Sequence, residues 1–138
     1  MCTALTYKTK DFYFGRNLDY EHGYGQSVIV VPRNYHIPFR HMEDLDHHYA
    51  MIGMGIVTGE YPNHFDGMNE KGLAMCGLNF VGNAVYNPVD ETKTNIAQYE
   101  LTNYILCTCA NIEEAKKALE NLNIDDEKYA DFMPTAYL

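Results

Sequence analysis

A change of hydrophobic period part-way along the chain constrains its fold most. Up to residue 79 the apolar residues fall in short β-favouring runs separated by turn residues, whereas beyond residue 95 they recur every three to four positions. Thr3-Ala4-Leu5-Thr6-Tyr7, the turn residues Thr9-Lys10-Asp11 and the aromatic run Phe12-Tyr13-Phe14 predict a hairpin. Val28-Ile29-Val30-Val31, ended by Pro32, reads as a buried strand. After a polar loop, Tyr49 to Val57 reads as a longer strand whose glycines imply a close approach of backbone or ligand. Asn69-Glu70-Lys71-Gly72 is a hairpin-type turn in which Gly72 suits a positive φ, and a strand rich in small residues follows from Leu73 to Asn79. Asn95-Ile96-Ala97-Gln98 resembles a capping box for a helix with Ala97, Leu101, Tyr104 and Ile105 on one face. Asn111 and Glu114 cap a second helix, in which Ala115, Ala118, Leu119 and Leu122 share a face. Strands followed by two amphipathic helices indicate an α+β fold, with helices laid on one face of a sheet. With no repeat or obvious linker, 138 residues and 46% hydrophobic content suit one domain over residues 1–138.

The chemistry centres on Cys2. Once Met1 is removed, a step that a small second side chain permits, the thiol lies two bonds from an α-amine whose reference pKa is roughly 7.7 to 8.0, so the nucleophile carries its own base. The hairpin brings Arg16 and Asp19 of the run Gly15-Arg16-Asn17-Leu18-Asp19 back toward it. A guanidinium beside a thiol favours thiolate, and a carboxylate can hold an α-ammonium by a charge-assisted hydrogen bond. An ordinary surface ion pair between Arg16 and Asp19 is the alternative.

Charge and cysteine usage narrow the function classes. A formal charge of -9 with ten scattered Lys and Arg disfavours nucleic acid and anionic membranes as partners. No run of about 18 apolar residues suggests a membrane span, and a cleaved leader would destroy the Cys2 arrangement, so a cytoplasmic location is expected. Cys76, Cys107 and Cys109 lack disulfide or zinc spacing and read as reduced, packed residues. All six histidines lie between His22 and His64, and His41, Glu43, Asp44, Asp46, His47 and His48 crowd together. That segment reads as a solvated loop between strands, without the spacing of a metal motif, and no metal or cofactor is expected.

Four segments carry a family resemblance: Met1-Cys2-Thr3-Ala4; Phe14-Gly15-Arg16-Asn17-Leu18-Asp19; Val31-Pro32-Arg33-Asn34-Tyr35; and Asp66-Gly67-Met68-Asn69-Glu70-Lys71-Gly72-Leu73 leading to Gly77-Leu78-Asn79-Phe80. In order and spacing this resembles the choloylglycine hydrolase family of N-terminal-nucleophile amidases, which holds bile salt hydrolases and penicillin V acylases. The resemblance implies an αββα four-layer sandwich, of which this chain would hold one helical layer and part of the sheets. Members are more than twice as long, so the chain would be an N-terminal portion truncated at its C-terminus, with a second active-site asparagine and arginine lying beyond residue 138. The implied catalytic residues are Cys2, Arg16, Asp19 and Asn79, the last contributing to the oxyanion hole. Leu18, Tyr24, Phe65, Tyr129 and Met133 resemble the residues of the family's pocket loops, with plain packing as their alternative role. The implied reaction is cleavage of glycine- or taurine-conjugated bile salts in a gut bacterium. Asn79 favours that branch, because some penicillin V acylases carry a tyrosine there. Full-length members often form homotetramers. The alternatives are a penicillin V acylase, or an inactive fragment that serves only as a structural or association module.

Overall fold

The computed structural model describes residues 2–19, 23–79 and 82–131. Strands β1 (Thr3–Lys8) and β2 (Phe12–Asn17) form an antiparallel hairpin, with Thr3 opposite Asn17 and Lys8 opposite Phe12. Its turn is the expected one, closed by the Thr9 N–H donating to the Asp11 carbonyl at 2.8 Å.

A second sheet runs in the order β3 (Ser27–Val31), β4 (Met51–Thr58), β5 (Tyr61–Asn69) and β6 (Ala74–Cys76), all antiparallel neighbours. The glycines of β4 are there for close approach of backbone: a Cβ on Gly53 would lie 2.0 Å from the Asp66 carbonyl oxygen, and one on Gly55 would lie 2.2 Å from that of Asn63. Gly72 adopts φ 87° in the β5–β6 turn, the left-handed region that its lack of a Cβ makes accessible. Between Met54 and Gly55 the register slips, so that Met54 faces Asp66 while Gly55 faces His64 and Phe65 is left without a partner across the ladder. Such a bulge re-aims side chains next to it.

The two faces of this sheet are covered differently. Arg16 of the hairpin reaches Asp66, whereas a Cβ on the next residue, Gly67, would sit 3.3 Å from Leu106 of helix α1 (Leu101–Thr108). Successive strand residues point to opposite faces, so the hairpin lies on one side and α1 on the other. The core is on the helical side, where Val31, Ile37, Met51, Leu73, Ile96, Ile105 and Leu106 are buried together. Buried Asn69 joins turn to helix there: its Nδ2 donates to the carbonyls of Leu106 (2.8 Å) and Cys109 (2.7 Å), and its Oδ1 accepts from the N–H groups of Lys71 and Leu73.

Several elements depart from the sequence reading. Val28 and Val30 are 64% and 67% exposed, because β3 is an edge strand whose groove-side face is uncovered, and only Ile29 and Val31 pack toward the core. The strand expected from Leu73 to Asn79 is confined to β6. Asn95 does not cap a helix: Thr94–Ala97 is strand β7, paired in parallel with β8 (Leu122–Asp125). The reach-back contact belongs instead to Glu100, whose Oε2 accepts from the Ala97 N–H at 2.8 Å ahead of α1. Helix α2 (Ile112–Glu120) is capped as expected, with the Asn111 side chain accepting from the Glu114 N–H, but it stops before Leu122, which belongs to β8.

Candidate active site

Cys2 is half-buried immediately before β1, with Sγ 3.9 Å from the Asp19 carbonyl oxygen. The hairpin register sets this up, since Ala4 pairs with Arg16 and Thr3 with Asn17. Both chain ends of the hairpin thus converge where the sequence places its nucleophile.

Arg16 exposes only 8% of its side chain. Its Nη2 donates to the carbonyls of Gly77 (2.9 Å) and Phe65 (3.3 Å), and its Nε lies 3.0 Å from Asp66 Oδ2. Asp66 is held in turn by the Met54 N–H, which donates to its Oδ1 at 3.2 Å. Arg16 Nη1 is buried with no hydrogen-bond partner among the described residues. A buried guanidinium N–H left unpaired is costly, and such a donor is available to an incoming polar group. Cys76 flanks the same spot: burial pushes its thiol pKa up, the Arg16 cation pulls it down, and the neighbouring Cys2 adds to the rise.

Asp66 is the residue that sequence reasoning left without a role. It stands in one of the motifs, but only the fold shows that it faces the hairpin and anchors Arg16. The same motif is also tied to the segment at Val31–Tyr35, because the Arg33 Nε–H donates to Glu70 Oε1 (2.8 Å) and the Ala50 N–H donates to that same oxygen. These bonds to the charged form hold the Glu70 pKa down at about 2, the Arg33 hydrogen bond contributing most. Much of the motif is therefore scaffold.

The hairpin and the face of β4–β6 enclose an open groove of about 700 Å³, lined by Phe12, Phe14, Arg16, Leu18, Ile52, Met54, Asp66 and Met68 among others. Of the candidate substrate-binding residues, Leu18 lines this groove. Tyr24 and Phe65 meet edge to face, with ring centroids 6.2 Å apart. Tyr129 lies elsewhere, in tilted ring contact with Tyr99 (centroids 5.0 Å apart) and Tyr61 (6.0 Å) and donating its hydroxyl hydrogen to the Tyr61 carbonyl. At about 3.3 Å per residue, Tyr61 is about 16 Å along β5 from Asp66. Asn79 is exposed, two residues beyond Gly77. Met133 lies outside the described residues.

The polar loop divides its histidines. His36 meets Asp46 at 2.8 Å and Asp44 at 3.4 Å on the surface. His64, on β5, is buried and its pKa is lowered, chiefly by burial. Its Nδ1 lies 2.9 Å from Asn103 Oδ1, and Asn103 Nδ2 donates to the Pro62 carbonyl. His41 meets Asp125 and Glu127 from the far end of the chain. Among the described residues no helix is long and apolar enough to cross a membrane.

Comparison with known proteins places this geometry. Residues 2–138 match the linear amide C–N hydrolases, choloylglycine hydrolase family. The whole chain is 44% identical to a bile salt hydrolase/transferase from Lactiplantibacillus plantarum and 42% identical to one from Clostridium perfringens, spanning 43% of the length of each. A crystal structure of a conjugated bile acid hydrolase mutant from Clostridium perfringens superposes with a TM-score of 0.89 at 41% identity, over 99% of this chain and 43% of the other. A penicillin V acylase from Agrobacterium tumefaciens shares the fold at a TM-score of 0.70 and 23% identity, over 89% of this chain and 39% of the other. The αββα N-terminal-nucleophile architecture is thus present in part, and the chain belongs to the choloylglycine hydrolase family of linear amide C–N hydrolases.

Proposed function

We propose that this chain is the nucleophile-bearing portion of a conjugated bile salt hydrolase. Supporting this most directly is the buried Arg16, fixed by Asp66 and by the Phe65 and Gly77 carbonyls, on the strand that pairs with the one following Cys2. With Met1 removed, the Cys2 α-amine takes the thiol proton as Sγ attacks the carbonyl carbon of the conjugate's amide. The C–S bond forms and the C–N bond breaks, and the same proton leaves on the departing glycine or taurine amine. Water then gives its proton to the α-amine and cleaves the thioester, releasing the bile acid and restoring the thiol. Asp19 holds the α-ammonium, Arg16 supplies positive charge, and Asn79 donates to the developing oxyanion, a role worth about 3 kcal/mol. The apolar groove beside Arg16, lined by Leu18 among others, suits the steroid body, and the Tyr24–Phe65 pair would contribute further apolar contact.

The identity to bile salt hydrolases, at 42–44%, favours this substrate over penicillin V, whose acylase is 23% identical. A second reading, an association module without activity of its own, is favoured by the uncovered strand face at Val28 and Val30. The test is hydrolysis of glycocholate, taurocholate and penicillin V by purified protein, with intact mass recorded to establish the state of Met1. Turnover of a bile salt that Cys2→Ser abolishes supports the proposal. A Met1-free chain that is folded yet silent on all three substrates leaves the association module.

A further inference from the structure

His41, Asp125 and Glu127 come together from opposite ends of the chain, in a place the amidase chemistry does not use. His41 Nε2 lies 2.9 Å from Asp125 Oδ2 and 3.0 Å from Glu127 Oε2, and the three donor atoms all fall within 4.8 Å of one another. One imidazole nitrogen carries at most one proton, so it cannot serve two carboxylate oxygens at once. Asp125 exposes only 9% of its side chain, yet its Oδ2 is buried and makes no hydrogen bond among the described residues, although it points at this cluster. The other oxygens are occupied: Asp125 Oδ1 accepts from the Glu127 N–H at 2.8 Å, and Glu127 Oε1 lies 3.4 Å from Arg40 Nε. Each carboxylate is thereby turned so that its remaining oxygen faces His41.

We propose that these residues form a site for a divalent first-row transition-metal cation, bound by one imidazole and two carboxylates. Donors about 2.1 Å from such a cation and about 90° apart are separated by about 3.0 Å, the spacing of Nε2 from each carboxylate oxygen. The partly exposed sides of His41 and Glu127 leave room for water to complete the shell. The contacts that orient Asp125 and Glu127 act as the outer shell that fixes ligand geometry in such sites. Bound there, the ion joins the end of β8 to the loop between β3 and β4. This revises the sequence expectation of a metal-free loop: the missing ligands lie more than eighty residues away, where spacing motifs cannot reach.

The test is Mn2+ titration of the chelator-treated full chain, with free Mn2+ read by electron paramagnetic resonance, since this ion prefers oxygen and nitrogen donors to the chain's thiols. One saturable site per chain is expected. Glu127→Gln, a substitution of a partly exposed side chain that preserves shape, and Asp125→Asn should each weaken it at least about tenfold. His36→Ala, which removes the other histidine–carboxylate cluster, should leave it unchanged. Zn2+ should raise the melting temperature of the wild type but not of Asp125→Asn, by mass action. Absence of a saturable site, or binding that survives Glu127→Gln and Asp125→Asn, or loss of binding in His36→Ala alone, overturns the proposal and leaves an ion-pair cluster.

Discussion

Replacing Asn69 by alanine would strip the carbonyls of Leu106 and Cys109 of a shared donor and the N–H groups of Lys71 and Leu73 of a shared acceptor. Each buried group left unpaired costs about 1–3 kcal/mol, so Asn69→Ala is expected to lower stability by about 3 kcal/mol in urea denaturation, while Cys2→Ser leaves it near wild type. Glu70 behaves differently because it is charged and open to water. Its folded pKa of about 2 lies below its ordinary value of 4.5, so its contribution is full above pH 4.5 and is lost as pH falls through about 2. Glu70→Gln should therefore flatten the acid side of a melting-temperature profile between pH 4.5 and 2, and a wild-type slope in the mutant would contradict the Arg33 bridge. Both residues belong to one motif, and their roles explain why the sequence shows where a site is more readily than what each residue does. Cys2 and Arg16 are legible because their chemistry is unusual at those positions. Asp66, Asn69 and Glu70 are ordinary polar residues whose partners lie at α1, on β4, on the hairpin or in the loop between β3 and β4.

At the level of elements, the β1–β2 hairpin and the cap of α2 are readable because their determinants are local: a three-residue turn at Thr9–Asp11, and Asn111 bonded to Glu114. The parallel pairing of β7 with β8 is not, because Ile96 finds Ile124 only after two helices have intervened, and nothing near either strand announces the other. Leu122 satisfies the helical period by coincidence and is taken by that pairing. The β4–β5 ladder carries the sharpest constraint. A Cβ at Gly53 would lie 2.0 Å from the Asp66 carbonyl oxygen and 2.7 Å from the Gly67 Cα, contacts that only separation of the strands relieves. Gly53→Ala is expected to cost about 1–3 kcal/mol by overpacking and to displace Asp66 from Arg16. Its effect should appear both as a lower urea midpoint and as slower alkylation of Cys2 by iodoacetamide in conditions where the variant is fully folded.

Across the whole molecule, the groove-side face of the four-stranded sheet is covered only in part. Val30, Ile52 and Met68 are cross-strand neighbours on that face and all are exposed. An apolar row that ends at an edge strand favours association with another chain. The isolated chain is expected to self-associate at micromolar concentration, and Val30→Lys to shift it toward monomer in light scattering without changing its circular dichroism. The pairing order has a kinetic corollary. The hairpin, β4–β5 and β5–β6 each join strands through short turns, and only β3–β4 needs a longer loop, so the walls of the groove are assembled largely from local closures. Cys2 and Arg16 can thus be brought into register while the ribosome is still adding the helices, and the slow event is the later meeting of β7 with β8. A nascent chain arrested shortly after residue 79 clears the exit tunnel should already protect the β1–β2 amides from hydrogen exchange, so Cys2 is in place before the rest of the core closes behind it.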